Sequence, residues 1–321
     1  MADKIKNNGK EVIDLQIKAL KKLKSSINSS FVSCVKLISE CKSKVIICGV
    51  GKSGKIASKI ASTLSSIGTP AFSVSASDCS HGDLGRITKQ DILILISNSG
   101  NTEELKNIIK YAKDYKIKII GIVSNKESEL YKSSDLRLFI PKVEESGHGI
   151  VPTSSTTSQL AIGDALSIAV MKKNKFTSLD FKKFHPSGNL AKKLKTASDV
   201  MLKDDKIPFI NENEIMKKAL KLLNEKKLGF LVVTNKKGFF TGIFTDGDLK
   251  RLLQKKEVIG HYKIKNFMTK KPFAVEENVL ITDILKLMNK KKITGIFVYK
   301  KQNKKKIVGV IHIHNILNLI N

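Results

Sequence analysis

DILILISNSGNTEEL, residues 91–105, sets five consecutive aliphatic residues against a turn of Ser, Asn, Gly and Thr. Ile92–Ile96 has no polar position, so a strand there is buried on both faces, as in a parallel sheet. Ser97–Thr102 then opens a run, Thr102–Lys113, that reads as a helix. The same unit stands upstream: Val45–Cys48 reads as a strand, Gly49–Gly54 as a turn and Ser53–Ser66 as a helix. Ala71–Ser75, Lys118–Val123 and Leu136–Ile140 read as further strands, and Ser155–Lys172 as a helix with small and apolar residues on one face. Ahead of them, Ile13, Ile17, Leu20, Leu23, Ile27 and Phe31 recur at helical spacing, which predicts one long helix over Glu11–Cys41. Strands alternating with helices predict an α/β domain over residues 1–194, with a parallel five-stranded sheet flanked by helices.

The pattern changes after Leu194. Val200–Met201 matches Phe267–Met268, and at the same offset Gly242 in FFTGIFTDGDL (239–249) matches Gly309 in KIVGVIHIHNI (306–316). Each segment runs strand, helix (Ile215–Asn224; Ile281–Asn289), strand (Phe230–Thr234; Gly295–Tyr299), strand, helix. This repeated βαββα order resembles a tandem pair of CBS (cystathionine β-synthase) modules, at 198–258 and 264–321. That resemblance implies nucleotide contacts at Thr245 and Asp248 of the first module; the second has Asn315 where the first has Asp248. The alternative is a purely architectural pair that helps assembly. His312-Ile-His314 alternates, but two histidines do not make a zinc site.

The chain has 321 residues with 58 basic and 29 acidic side chains, a net charge of +29. Only Arg86, Arg137 and Arg251 are arginines, and arginine is what readers of nucleic acid favour. The lysines are spread over many helix faces and loops, so the charge predicts no nucleic-acid partner. No run of roughly 18 uncharged apolar residues exists, which predicts no membrane span. The polar N-terminus lacks a signal-peptide core, so the expectation is a cytoplasmic protein. Cys34, Cys41, Cys48 and Cys79 form no CxxC pair and read as reduced, buried thiols.

Gly49–Gly54 fits GxGxxG and contains Gly-Lys-Ser. A Walker loop needs glycine at position 46, which is Ile46. A dinucleotide site needs an acid ending the second strand, and Asp78 lies late, beyond Ser75-Ala-Ser77. Both readings share one element: glycines that let backbone N–H groups, with Gly51 and Ser53, approach an anion at a helix N-terminus. In the second turn Ser97, Ser99 and Thr102 offer hydroxyls and Asn98 an amide. N-capping explains one hydroxyl, not four donors in six residues. Two such turns on strand C-termini converge on one crevice and suit a phosphate monoester.

GVGKSG, HGDLG, ISNSGNTEEL, PTSSTT, GDAL and HPSGNLAKKL together resemble the SIS (sugar isomerase) domain. With the CBS-like pair behind it, nearly the whole chain is similar to the arabinose-5-phosphate isomerase family. The resemblance implies aldose–ketose isomerisation between D-ribulose 5-phosphate and D-arabinose 5-phosphate, which opens Kdo (3-deoxy-D-manno-octulosonate) biosynthesis for lipopolysaccharide or capsule. It implies no required cofactor, a homotetramer, and a catalytic set of Lys52, Glu104, Glu144 and His185. Glu144 matches when counted back from Pro152 without gaps; a slip of one residue exchanges it for Glu145. His81 is implied as a contact for substrate or an inhibitory divalent metal, oriented by Asp83. The chain departs from the family at EESGHGIV, where relatives have a Cys-Pro-Leu-Gly-type run, and at HPSGNL for HPGGAL. Rival readings are isomerisation of another sugar phosphate, a non-catalytic phosphosugar sensor, and an NAD-dependent oxidoreductase built on Gly49–Gly54.

Overall fold

The computed structural model describes residues 1–185, 187, 192, 194–254 and 259–320. The chain divides into two units, Met1–Phe184 and His185–Asn321. Among the described residues no helix is long and apolar enough to cross a membrane.

In the first unit, β1 (Val45–Gly49), β2 (Ala71–Ser75), β3 (Ile92–Ser97), β4 (Lys118–Val123) and β5 (Leu136–Phe139) form one parallel sheet in the order β2-β1-β3-β4-β5. β1 and β3 are buried at every residue, as their unbroken aliphatic sequences require. The helices are α1 (Ala2–Ser26), α2 (Ser29–Ser39), α3 (Lys52–Ser66), α4 (Ala76–Cys79), α5 (Lys106–Asp114), α6 (Glu129–Ser133), α7 (Ser154–Lys173) and α8 (Ser178–Phe184). Val45, Ile47, Ile94, Ile96 and Ile122 point to one face and pack under Val35, Ile60, Leu64 and Leu166 of α2, α3 and α7. Ile46, Cys48, Leu93 and Leu95 point to the other, under Ile108, Ile109 and Leu130 of α5 and α6. Gly163 lets α7 approach α3: a Cβ there would come within 2.2 Å of Ile60 Cδ1.

Two elements depart from the sequence expectation. The long N-terminal helix is two helices, because Ile27 turns extended and the Asn28 side chain accepts the Ser30 N–H at 2.9 Å, capping α2. The helix expected from Thr102 begins as a 3₁₀ turn, Glu103–Leu105, before α5. All four cysteines are unpaired. Cys34, Cys48 and Cys79 are buried and Cys41 is half-buried. Burial pushes the Cys34 and Cys48 thiols up to about 12.

The second unit holds α9 (Ala197–Val200), then β6 (Phe209–Asn211), α10 (Met216–Lys226), β7 (Phe230–Thr234), β8 (Phe240–Thr245) and α11 (Asp246–Leu253). After β9 (Thr269–Lys270), β10 (Ala274–Glu276), α12 (Ile281–Lys291), β11 (Gly295–Lys300), β12 (Asn303–His312) and α13 (Ile313–Ile320) repeat the βαββα order. The two modules exchange their leading segments. Ala197 joins the core of the second module, donating its N–H to Val279 O at 2.8 Å. Ile264 joins the core of the first, and β9 pairs with β8. The matched glycines receive the exchanged methionines. A Cβ on Gly309 would meet Met201 Sδ at 2.3 Å, and one on Gly242 would meet Met268 Sδ at 2.7 Å.

Candidate active site

The strand order places the reversal of direction between β1 and β3, and Gly49 lies opposite Ile96 across it. The crevice outside the C-termini of those strands is where ligands bind in open α/β sheets. Gly49–Gly54 leaves β1 and Ser97–Thr102 leaves β3, so the two turns chosen from sequence flank the same reversal point. A hollow of about 420 Å³ lies beside it, between the ends of β1 and β2, lined by Gly51, Lys55, Ser58, Ser75 and Ser77 among others.

The first turn is a bare helix start. Gly51 is its N-cap, with φ +57° and ψ −121°, and no side chain caps the helix. A Cβ on Gly51 would meet nothing within 4 Å, so open space lies over it. The first helical bonds run from Gly54 to Val50 O at 3.4 Å and from Lys55 to Gly51 O at 3.2 Å. That geometry leaves the amides of Lys52 and Ser53 directed out of the helix end. Gly49 and Gly54 pack on each other, which closes the turn tightly; a Cβ on Gly54 would meet Gly49 O at 2.8 Å. The Ser53 hydroxyl donates to Gln159 Oε1 of α7 at 3.1 Å, and Gln159 is buried. Lys52 is exposed at the helix start.

The second turn is held by its own side chains. Ser97 is buried, its Oγ 2.7 Å from Thr102 Oγ1, and it accepts the Gly100 N–H at 2.9 Å. Ser97 and Thr102 therefore shape the loop. Asn98, Ser99 and Asn101 are its exposed members. The Asn98 Oδ1 accepts from Ser124 Oγ at 2.7 Å, which turns the amide NH₂ away from that contact. Gly100 has φ +73°, and a Cβ there would strike Ser128 Oγ at 2.1 Å, so only glycine fits.

Neighbouring carboxylates separate by what they bind. Glu103 pairs with Lys106 at 2.6 Å, whereas Glu104 is exposed and has no partner among the described residues. Glu145 accepts the backbone N–H groups of Thr153 and Ser154 at 2.8 Å each and of Ser155 at 3.2 Å, and also the Thr153 hydroxyl at 3.2 Å. It thus closes the N-terminus of α7. Burial alone would raise its pKa, and the bonds from Ser155 and Thr153 more than reverse this, holding the carboxyl below its ordinary range. Glu144 is exposed, with no partner among the described residues.

His81 is exposed in the turn after α4. Asp83 does not orient it: its carboxylate takes the Arg86 guanidinium at 3.0 Å. His185 is half-buried directly after α8 and begins the second unit; Pro186 and Gly188–Ala191 of its motif lie outside the described residues. In the second unit, Thr245 is the N-cap of α11 and forms a capping box with Asp248: Asp248 N–H donates to Thr245 Oγ1 at 3.1 Å and Thr245 N–H to Asp248 Oδ2 at 2.9 Å. The other Asp248 oxygen takes Arg251 at 2.6 Å and Thr269 at 3.2 Å, so Asp248 is buried and fully engaged.

Sequence reasoning missed Glu145 as the clamp of α7 and Gln159 as the partner of Ser53. A glutamine amid the small residues of α7 was the available signal for the second. Glu145 left none, because its partners are backbone amides.

The SIS domain model matches residues 37–169, and the CBS domain model matches 197–255 and 264–321. The chain is 39% identical to arabinose 5-phosphate isomerase KdsD of Yersinia pestis over 311 residues, covering 96% of this chain and 94% of that protein. It is 36% identical to the KdsD of Escherichia coli strain K12 over 311 residues, with the same coverage of 96% and 94%. Among solved structures, E. coli CFT073 c3406 in complex with arabinose 5-phosphate superposes with a TM-score of 0.56 at 37% identity, over 58% of this chain and 100% of that one. Relationship at this level, running through both units, makes the chain a member of the arabinose 5-phosphate isomerase family.

Proposed function

We propose that the protein interconverts D-arabinose 5-phosphate and D-ribulose 5-phosphate in the cytoplasm, supplying Kdo biosynthesis. The observation that carries this reading is the pair of anion-competent turns on adjacent strands, with Glu104 exposed just beyond the second. The solved relative that holds arabinose 5-phosphate supports the choice of sugar phosphate.

The chemistry needs a carboxylate and fixed positive charge. In the aldose-to-ketose direction a carboxylate, assigned to Glu104 or Glu144, takes the proton from C2 and returns it to C1. The other of these two carboxylates carries the hydroxyl proton from O2 to O1, which yields the ketone at C2. Charge on the enediolate oxygens between the two transfers is stabilised by the Lys52 ammonium and the outward amides of α3. The phosphate is held by Gly51, Ser53, Asn98 and Ser99, within the frame built by Ser97 and Thr102, and this fixes the carbon to be deprotonated. His185 serves ring opening. No cofactor is required in this scheme; His81 is the residue at which a divalent metal would inhibit.

Assembly into a homotetramer is part of the proposal. Ile5, Ile13, Ile17 and Leu20 are exposed along α1, an apolar stripe that association would cover. Nucleotide binding at the first CBS module, with Thr245 lining a cleft, belongs to the same reading.

Purified protein should convert arabinose 5-phosphate to the ketose, with and without chelator. Faster turnover of a hexose phosphate in a substrate panel would transfer the assignment to that sugar, and no turnover on any of them would favour a sensor.

A further inference from the structure

His312 caps a helix with its imidazole. It ends β12, and its Nδ1 accepts the backbone N–H of His314 at 3.3 Å in the first turn of α13. Asn315, at the third position of the helix, answers by accepting the His312 N–H at 3.0 Å. In the first module Thr245 and Asp248 hold the corresponding positions as a full capping box, with groups that do not change protonation near neutrality. An imidazole can accept at Nδ1 only while that nitrogen is unprotonated. The second module therefore has a cap that a proton removes.

The cap faces a cleft of about 690 Å³ shared by the two modules. Its charged groups come from every element around it: Lys227 at the end of α10, Asp246 and Arg251 on α11, Lys292 at the end of α12, and His314 on α13. Lys227 and Lys292 close their helices in the same left-handed conformation, φ +54° and +53°, so the two modules present one lysine each. The His312 and His314 rings are 5.0 Å apart. Burial, and then the charge of His314, hold His312 below the ordinary histidine value.

We propose that this cleft binds a phosphorylated metabolite and takes up one proton on His312 as it does so. Without an anion, a proton on His312 breaks the cap and adds a charge beside Lys227, Lys292 and His314. With an oxyanion in the cleft, the same proton turns Nδ1 from an acceptor into a donor and its charge is compensated. Anion binding and protonation then favour each other by equal factors. The inference rests on the reading that the module pair takes an anionic ligand.

The test uses the full chain and sulfate, a dianion that does not itself titrate near neutrality. His312 is followed through its histidine ¹³Cε1 resonance, assigned by loss in His312→Thr, which installs the cap residue of the first module. Sulfate should raise the midpoint of His312 by about one unit. Equivalently, affinity at the cleft should rise by up to ~10-fold between about pH 8 and about pH 6. His312→Thr should lose that gain, and Lys227→Ala with Lys292→Ala should abolish the effect of sulfate on His312. No sulfate effect on the second unit at any pH would overturn the anion site. Equal gains in wild type and His312→Thr would overturn the coupling while leaving the site.

Discussion

Glu145 receives the Ser154 amide at 2.8 Å, so a carboxylate from the loop before α7 occupies the positive end of that helix. Its neighbour Glu144 makes no such contact. The two glutamates therefore answer differently to the same substitution. Glu144→Gln should lower kcat by orders of magnitude with an unchanged melting temperature. Glu145→Gln should cost about 1–2 kcal/mol of stability, measured by denaturant unfolding of the first unit.

The clamp has a pH signature. Because the Glu145 pKa is lowered on folding, the unfolded chain binds the proton more readily. Its contribution is complete above the ordinary glutamate value of about 4.3 and is lost as pH falls through the lower folded value. Melting temperatures of wild type and Glu145→Gln should thus differ at about pH 6 and converge as pH falls below about 4. A constant difference down to acid would remove the ionised clamp from the account.

Glu104 and Glu103 form a second contrast. Glu104→Gln should drop turnover by orders of magnitude in a steady-state assay. Glu103→Gln only releases an exposed lysine, so its melting temperature and kcat should both stay near wild type.

Gly51 has room for a side chain but not the backbone for one. Gly51→Ala meets no atom within 4 Å, yet imposes φ +57° with ψ −121° on an L-residue, at a cost of order 1–3 kcal/mol. Relaxation of that strain would move the amides of Lys52 and Ser53. KM for the sugar phosphate should rise, and inhibition by inorganic phosphate should weaken in parallel. Lys52→Ala should instead act mainly on kcat.

Gly309→Ala tests the exchange of segments between the modules. Its Cβ has no space beside Met201. Two-step calorimetry should show a lower transition for the second unit with the first unit unchanged, and Met201→Ala in the same chain should restore part of the loss.

The strands were legible because β1 and β3 are buried on both faces and tolerate only aliphatic residues, so burial and sequence carry the same information. The turns were legible for a related reason: Gly51 and Gly100 occupy conformations that exclude other residues. The break at Asn28 was not, because Ile27 and Phe31 keep helical spacing on either side of it. Counting donors in Ser97–Thr102 gives three hydroxyls and an amide, but whether a hydroxyl faces a ligand or its own loop is decided by burial. Ser97 is buried and internal, while Ser99 is exposed. The glutamate pairs were beyond sequence altogether. Glu103 and Glu145 are distinguished from their neighbours by partners three and eight to ten residues away that periodicity does not report.

The crossed placement of Met201 on Gly309 and Met268 on Gly242 makes the second unit a set of interlocking parts. A protein engineer could not transplant one module of it alone. The graft would leave behind the residues that fill its interior and arrive with those meant for its sibling. Any chimera that works must carry both modules together, or move each one's lead-in separately from its body.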